Sequence, residues 1–131
     1  MASELEFLES CLDEGRYSTR GSDREQVATD ASPHEGHSPD AVVWPANTTE
    51  VSRVLAAADE RGIPVTPRSG GSGLEGNAIP VAGGIVLSTA DLTGVEVHPD
   101  DLSATVGAAR ITLRAVDIEQ RRRLDCLPRR R

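Results

Sequence analysis

The sequence predicts an α+β domain that opens on a single β-α-β crossover and closes on a β-hairpin. Three observations lead there. A short β-rich run, Ala41-Val42-Val43-Trp44, is followed by a capped helical stretch and then by a second short β-rich run. A glycine-rich stretch, PRSGGSGLEGN at 67–77, separates that unit from the rest. Beyond it, two segments that alternate at period two flank the turn Pro99-Asp100-Asp101. The expected order is helix, strand, helix, strand, loop, three strands and a last helix.

Each element has its own local reason. Leu5, Leu8 and Leu12 recur at helical spacing, so Ser3–Glu14 is expected to be a helix stopped by Gly15. Residues 16–40 are polar, with few apolar positions, and read as an extended, irregular lead-in. Pro45 closes the strand at 41–44. Asn47-Thr48-Thr49-Glu50 then resembles a capping box, and Val51, Val54, Leu55 and Ala58 share one helical face. Gly62 supplies a left-handed cap and Pro64 blocks continuation, which bounds a helix at Thr48–Arg61. Val65 to Arg68 reads as a strand, as does Gly84–Ser88. Gly94–His98 and Leu102–Val106 pair as the hairpin, and Thr112 caps a helix through Leu113, Val116 and Gln120.

Composition limits the functional classes. The 131 residues suit one domain with a modest core, built from Val, Ile, Leu and Ala because aromatics make up only 2%. No apolar run approaches the roughly 20 residues of a membrane span, and the acidic N-terminus is no signal peptide, so a cytoplasmic place is expected. A net charge of −7 argues against nucleic acid as a partner. Every basic residue is arginine, a composition that suits a high-salt cytoplasm or a high-GC genome. Cys11 and Cys126 form neither a disulfide framework nor a zinc motif, and His34 and His37 have no further ligand nearby, so no metal site is expected.

The charge is unevenly placed. Residues 1–110 carry 18 acidic residues and 7 arginines, net −11, whereas residues 111–131 carry 3 and 7, net +4. The tail RRRLDCLPRRR reads either as a basic arm for an anionic partner or as the product of a truncated or shifted reading frame.

The glycine stretch contains Gly71-Ser72-Gly73-Leu74-Glu75-Gly76, a literal G-x-G-x-x-G. In a dinucleotide fold those glycines end a strand and open a helix. Here Pro80, Gly83 and Gly84 forbid that helix, and Glu96, at the spacing of a ribose-binding acid, falls in the hairpin. A Walker A loop is excluded because the chain has no lysine. Two readings stay open: a ligand-free connection, or a loop whose amides converge on an anion. In the second, Gly70, Gly71, Gly73 and Gly76 leave room for the backbone to approach, Ser69 and Ser72 add hydroxyls, and Arg68 adds a positive charge.

A wider pattern joins these pieces. Asp30-Ala31-Ser32, Pro39 through Pro45, Thr48 through Val51, Gly62 through Gly76, Gly83 through Ser88, Leu92 through Val95 and Asp101 through Val106 occur in one order and spacing. Together they resemble the N-terminal part of the FAD-linked oxidases with a PCMH-type (vanillyl-alcohol-oxidase-like) flavin domain. Within these, the pattern is most similar to the glycolate oxidase and D-lactate dehydrogenase subunit group.

The resemblance implies the first subdomain of a PCMH-type FAD-binding domain: a β-α-β unit, the glycine-rich loop and a small mixed or antiparallel sheet. It implies a lead-in at 1–27, a partial flavin domain at 28–118 and an aberrant basic tail at 119–131. Arg68, Ser69, Gly70, Gly71, Ser72 and Gly73 would meet the FAD phosphates, with Gly76 and Asn77 completing the cradle. Some relatives tether FAD through a histidine in this loop. Ser72 stands at that place, so the implied FAD is non-covalent. Relatives continue into a second flavin subdomain and a substrate cap with the catalytic groups. No catalytic residue is therefore assigned here, and the expectation is a truncated fragment, an inactive remnant, or a module completed by a second chain.

Overall fold

The computed structural model describes residues 5–98, 100 and 103–109. In chain order the elements are α1 (Phe7–Cys11), β1 (Tyr17–Ser18), α2 (Gly21–Gln26), β2 (Ala41–Val43), α3 (Thr48–Asp59), β3 (Val65–Arg68), β4 (Ile85–Ser88), β5 (Val95–His98) and β6 (Ser103–Val106). The helix expected from Thr112 to Gln120 lies outside the described residues. The architecture is mixed α and β, with a four-stranded sheet ordered β1-β2-β4-β3 and a separate β5–β6 hairpin.

The centre of the sheet is parallel. β2 and β3 both pair with β4, Ala41 opposite Ile85 on one side and Val65 opposite Ile85 on the other. Parallel central strands are buried on both faces, which accounts for the unbroken apolar runs of β2 and β4. Every residue of both strands is buried. Alternate positions Ala41, Val43, Ile85 and Leu87 join the main core with Leu5, Leu8, Cys11, Leu12, Val54 and Ala58. Full burial of a Val or Ile side chain contributes about 1.5–3 kcal/mol, so Val43, Val54 and Ile85 are principal contributors.

α3 owes its ends to local chemistry. Asn47 Oδ1 accepts the Glu50 amide at 2.9 Å, and the Glu50 carboxylate reaches back to the Ala46 amide at 2.7 Å. At the other end Ile63 N donates to Ala58 O at 2.9 Å and Gly62 N to Asp59 O at 3.0 Å, with Gly62 at φ 64°. These two bonds form a Schellman cap. They account for the two residues by which the helix falls short of Arg61.

Two expectations about the first forty residues need correction. The first helix is five residues, not Ser3–Glu14. Leu12 turns extended (φ −130°, ψ 152°), and Gly15 shapes the turn into β1 instead of stopping the helix. Residues 16–40 are also not an irregular lead-in, since they contain β1 and α2. β1 pairs antiparallel with β2, Tyr17 opposite Val43, and Arg16 closes the pair: its carbonyl accepts Trp44 N at 2.8 Å and its Nη1 donates to Trp44 O at 3.0 Å. α2 is tied by Arg24 Nε to the Pro39 carbonyl at 2.5 Å. These partners are distant in sequence, so no local periodicity announced them.

The hairpin forms as expected, Val95 opposite Val106 and His98 opposite Ser103. Gly107 N to Gly94 O (2.7 Å) and Ala109 N to Leu92 O (3.1 Å) extend it, and Thr89 Oγ1 donates to Ala108 O at 3.1 Å, linking it to the end of β4. Among the described residues, no helix is long and apolar enough to cross a membrane.

Candidate functional site

β3 and β4 are parallel neighbours, so the chain must cross from the end of one to the start of the other. It does so through residues 69–84, which form turns and no helix. The helix that a dinucleotide fingerprint requires is therefore missing from the structure, as Pro80 and Gly83-Gly84 predict.

This connection is mostly exposed up to Asn77, dips into the interior at residues 78–80 and surfaces again at Val81 and Ala82. Ser69, Gly70, Ser72, Leu74, Glu75 and Asn77 are exposed, whereas Ala78, Ile79 and Pro80 are buried. The hydrogen bonding changes at the same point. Among the described residues, no backbone amide from Ser69 to Asn77 donates to a protein acceptor. Pairing resumes at Ala78, whose amide meets Asp30 Oδ2 at 3.4 Å, and at Ile79, whose amide meets Gly76 O at 3.2 Å. A run of donors left unpaired by the protein is open to water or to an acceptor-rich ligand.

Two glycines shape this run in a way that other residues would resist. Gly71 and Gly76 have φ of 64° and 74°, where a side chain is strained. Both also lie under side chains. A Cβ on Gly71 would stand 2.5 Å from Arg68 Cζ, and one on Gly76 would stand 2.7 Å from His34 Cδ2. Asn77 crowds Gly73 in the same manner, its Oδ1 2.5 Å from where a Cβ would be. Only Gly70 has space around it, with Ser72 Oγ 4.0 Å away.

The eight residues expected to form the site are therefore contiguous in space but differ in what they do. Ser69, Gly70, Gly71, Ser72, Gly73, Gly76 and Asn77 present the unpaired amides, and Ser69 and Ser72 add exposed hydroxyls. Arg68 folds over Gly71 and donates Nη1 to the Thr29 carbonyl at 2.8 Å. It is the only arginine between residues 62 and 109 and brings a positive charge to the loop. Amides, hydroxyls and one guanidinium suit an anion with several oxygens, such as pyrophosphate.

The residues that hold the loop from behind are not among those expected at the site. Ala31 N donates to Gly71 O at 3.0 Å, and Asp30 Oδ1 accepts Ser32 N at 2.9 Å while Oδ2 faces Ala78. The Ser32 hydroxyl and amide, followed by smaller contributions from the Ala78 amide and the Arg68 charge, hold the Asp30 carboxyl below its ordinary pKa against an opposing effect of burial. At the loop's exit Asp40 Oδ2 accepts Gly84 N at 2.8 Å. The available signal was Asp30-Ala31-Ser32, an Asx-turn pattern that names its local partner but not Ala78.

Another cleft, of about 660 Å³, opens between α1, β1 and α2 and is lined by Glu9, Asp13, Glu14, Asp23, Tyr17 and Trp44. Its four carboxylates outnumber the single arginine of the lining, Arg20, so it suits a phosphate poorly. Among the described residues no three His, Cys, Asp or Glu side chains converge as a metal site. Of the two cysteines, Cys11 is buried in the core and Cys126 lies outside the described residues.

Residues 39–121 match the FAD binding domain family, and the chain belongs to it. Over 76 residues it is 49% identical to a D-lactate dehydrogenase of Archaeoglobus fulgidus, which covers 58% of this chain and 17% of that protein. Over 85 residues it is 40% identical to glycolate oxidase subunit GlcD of Bacillus subtilis, covering 64% and 18%. The chain thus spans less than a fifth of these relatives' length. Among solved structures, p-cresol methylhydroxylase with substrate bound superposes with a TM-score of 0.79 at 20% identity, over 94% of this chain and 25% of that one. Alkyldihydroxyacetonephosphate synthase does so with a TM-score of 0.79 at 16% identity, over 94% and 27%. At these identities the structural likeness establishes the PCMH-type fold and nothing finer.

Proposed function

We propose that the loop from Arg68 to Asn77 holds the pyrophosphate of FAD, and that the chain is the flavin-phosphate-binding part of an oxidoreductase acting on a 2-hydroxy acid. One observation carries the binding half of this reading: the unpaired amides of residues 69–77, set between Gly71 and Gly76 in left-handed conformation. Charge-assisted hydrogen bonds from such amides contribute about 1.5–3 kcal/mol each. Arg68 adds its charge at the strand end. Support for the substrate class comes from the relatives named D-lactate dehydrogenase and glycolate oxidase.

FAD would supply the two-electron acceptor for the hydroxy acid. The chain's own part is to fix the cofactor by its phosphates, and no residue here is assigned to proton transfer. Residues 28–118 are read as the flavin-binding unit, with 1–27 leading in and 119–131 as a basic tail. Turnover needs flavin walls and a substrate pocket beyond these residues, from a longer chain or a second subunit.

The FAD is read as non-covalent, because Ser72 cannot form a histidyl linkage and residues 69–77 contain no histidine. Acid precipitation should release all flavin into the supernatant. A yellow pellet would overturn this and direct attention to His34, whose imidazole packs on Gly76. The binding reading is tested by titrating the protein with FAD and following flavin fluorescence and visible absorbance. Saturable binding is expected, and its absence sinks the reading for this chain.

A further inference from the structure

We propose that Asp30 is a positioning residue for this loop: its carboxylate holds the Ala78 amide, marks where the run of open amides ends, and so sets the register of a bound pyrophosphate. The proposal rests on the flavin-phosphate reading above.

Segment 28–37 lies against the loop at four places. Thr29 O accepts Arg68 Nη1 at 2.8 Å, Ala31 N donates to Gly71 O at 3.0 Å, Asp30 Oδ2 accepts Ala78 N at 3.4 Å, and the His34 ring covers Gly76. The first two contacts hold the start of the loop, and the last two hold its end. Asp30 is the charged member of this set, and its orientation is fixed locally because Oδ1 is occupied by the Ser32 amide at 2.9 Å. The second oxygen is thereby aimed at Ala78 from 48 residues away in sequence.

Two consequences follow for an anion at residues 69–77. The Ala78 amide is already engaged, so the ligand's oxygens are confined to the preceding amides. A fixed negative charge beside Ala78 also repels phosphate oxygens that stray beyond Asn77. The 3.4 Å separation is longer than an ordinary N–H···O bond, so the expected effect of losing it is a weakened site and not an abolished one.

The test compares Asp30→Asn, Ser32→Ala and Gly71→Val in the full chain. Asn can keep the acceptor for Ser32 N, but with its NH2 group toward Ala78 it offers no second acceptor and no charge. Ser32→Ala removes the hydroxyl that steadies the Asp30 carboxylate and accepts His34 N at 3.3 Å, and keeps the Asp30 charge and the Ser32 amide. The expected result is an FAD Kd about tenfold higher for Asp30→Asn, a smaller rise for Ser32→Ala, and a ligand-free melting temperature of Asp30→Asn matched to wild type. A purely structural role would move the melting temperature and leave the Kd alone. Wild-type FAD affinity in Asp30→Asn, alongside loss of binding in Gly71→Val, overturns the proposal and leaves the flavin reading intact. If wild type itself fails to bind FAD, the flavin reading falls and takes the register claim with it. Amide hydrogen exchange then decides the remaining claim, that Asp30 holds the loop. Faster exchange at Ala78 and Ile79 in Asp30→Asn, with 41–43 and 85–88 unchanged, supports it, and unchanged exchange at those two amides refutes it.

Discussion

The chain passes between parallel strands of one sheet twice, by opposite means. From β2 to β3 it uses α3, whose backbone groups pair within the helix and whose ends are closed by Asn47, Glu50 and Gly62. From β3 to β4 it uses residues 69–84, and among the described residues no backbone amide of its first half, 69–77, donates to the protein. The first connection satisfies its own polar groups and contributes apolar side chains to the core. The second leaves its donors open and contributes conformation. The helix closes on itself, whereas the loop keeps donors that water or an acceptor-rich ligand can meet.

That contrast can be broken by experiment, and the largest expected effect falls on the loop. Gly71→Val puts a branched side chain at φ 64° and against Arg68, so FAD affinity should drop by ten- to a hundredfold or more, the worth of one lost charge-assisted bond. Hydrogen exchange in α3 should be unchanged. Retained FAD affinity would mean that the loop is not the cradle.

Next in size is Asp40→Ala, which removes the acceptor of Gly84 N at the loop's exit. Loss of about 1.5–3 kcal/mol of stability is expected by denaturant unfolding, with a smaller effect on FAD affinity than Gly71→Val. An equal effect on affinity would show that the loop's exit matters to the ligand as much as its tip does.

Asn47→Ala should cost about 1 kcal/mol, through the lost cap on α3, and leave FAD binding alone. A coupled change in affinity would dissolve the distinction between the two connections.

The smallest effect concerns neither. Tyr17 donates its hydroxyl to Glu9 at 2.9 Å, and this bond, followed by burial and by the charges of Glu9 and Glu6, raises its pKa. A group whose folded pKa is raised contributes fully below its ordinary value of 10.0 and loses that contribution as pH rises through the folded value. Stability should therefore fall slightly more steeply above pH 10 in wild type than in Tyr17→Phe, measured by thermal unfolding.

The parts of the fold legible in sequence are those decided locally. α3 was readable because its cap, apolar face and terminal glycine lie within sixteen residues, and the hairpin because its alternation and turn are contiguous. The glycines of the loop were readable because a left-handed backbone is a property of the residue itself. What could not be read depends on distant partners. β1 is two residues long and exists through Val42 and Val43. The insertion of β4 between β2 and β3 follows from pairing and not from any one segment. The link from Asp30 to the loop could not be read because its second oxygen serves an amide 48 residues away.

The place of β4 has a further consequence. The loop is a closed ring whose two ends are welded into neighbouring strands, one of them buried along its whole length. Segment 28–37 props that ring from one side. The entropy of bringing the ends together is lost when the sheet assembles, long before any cofactor arrives. A ligand entering such a ring has little chain left to order, so most of its contact energy can appear as affinity. In this molecule the folding of the sheet and the closing of the loop are one event.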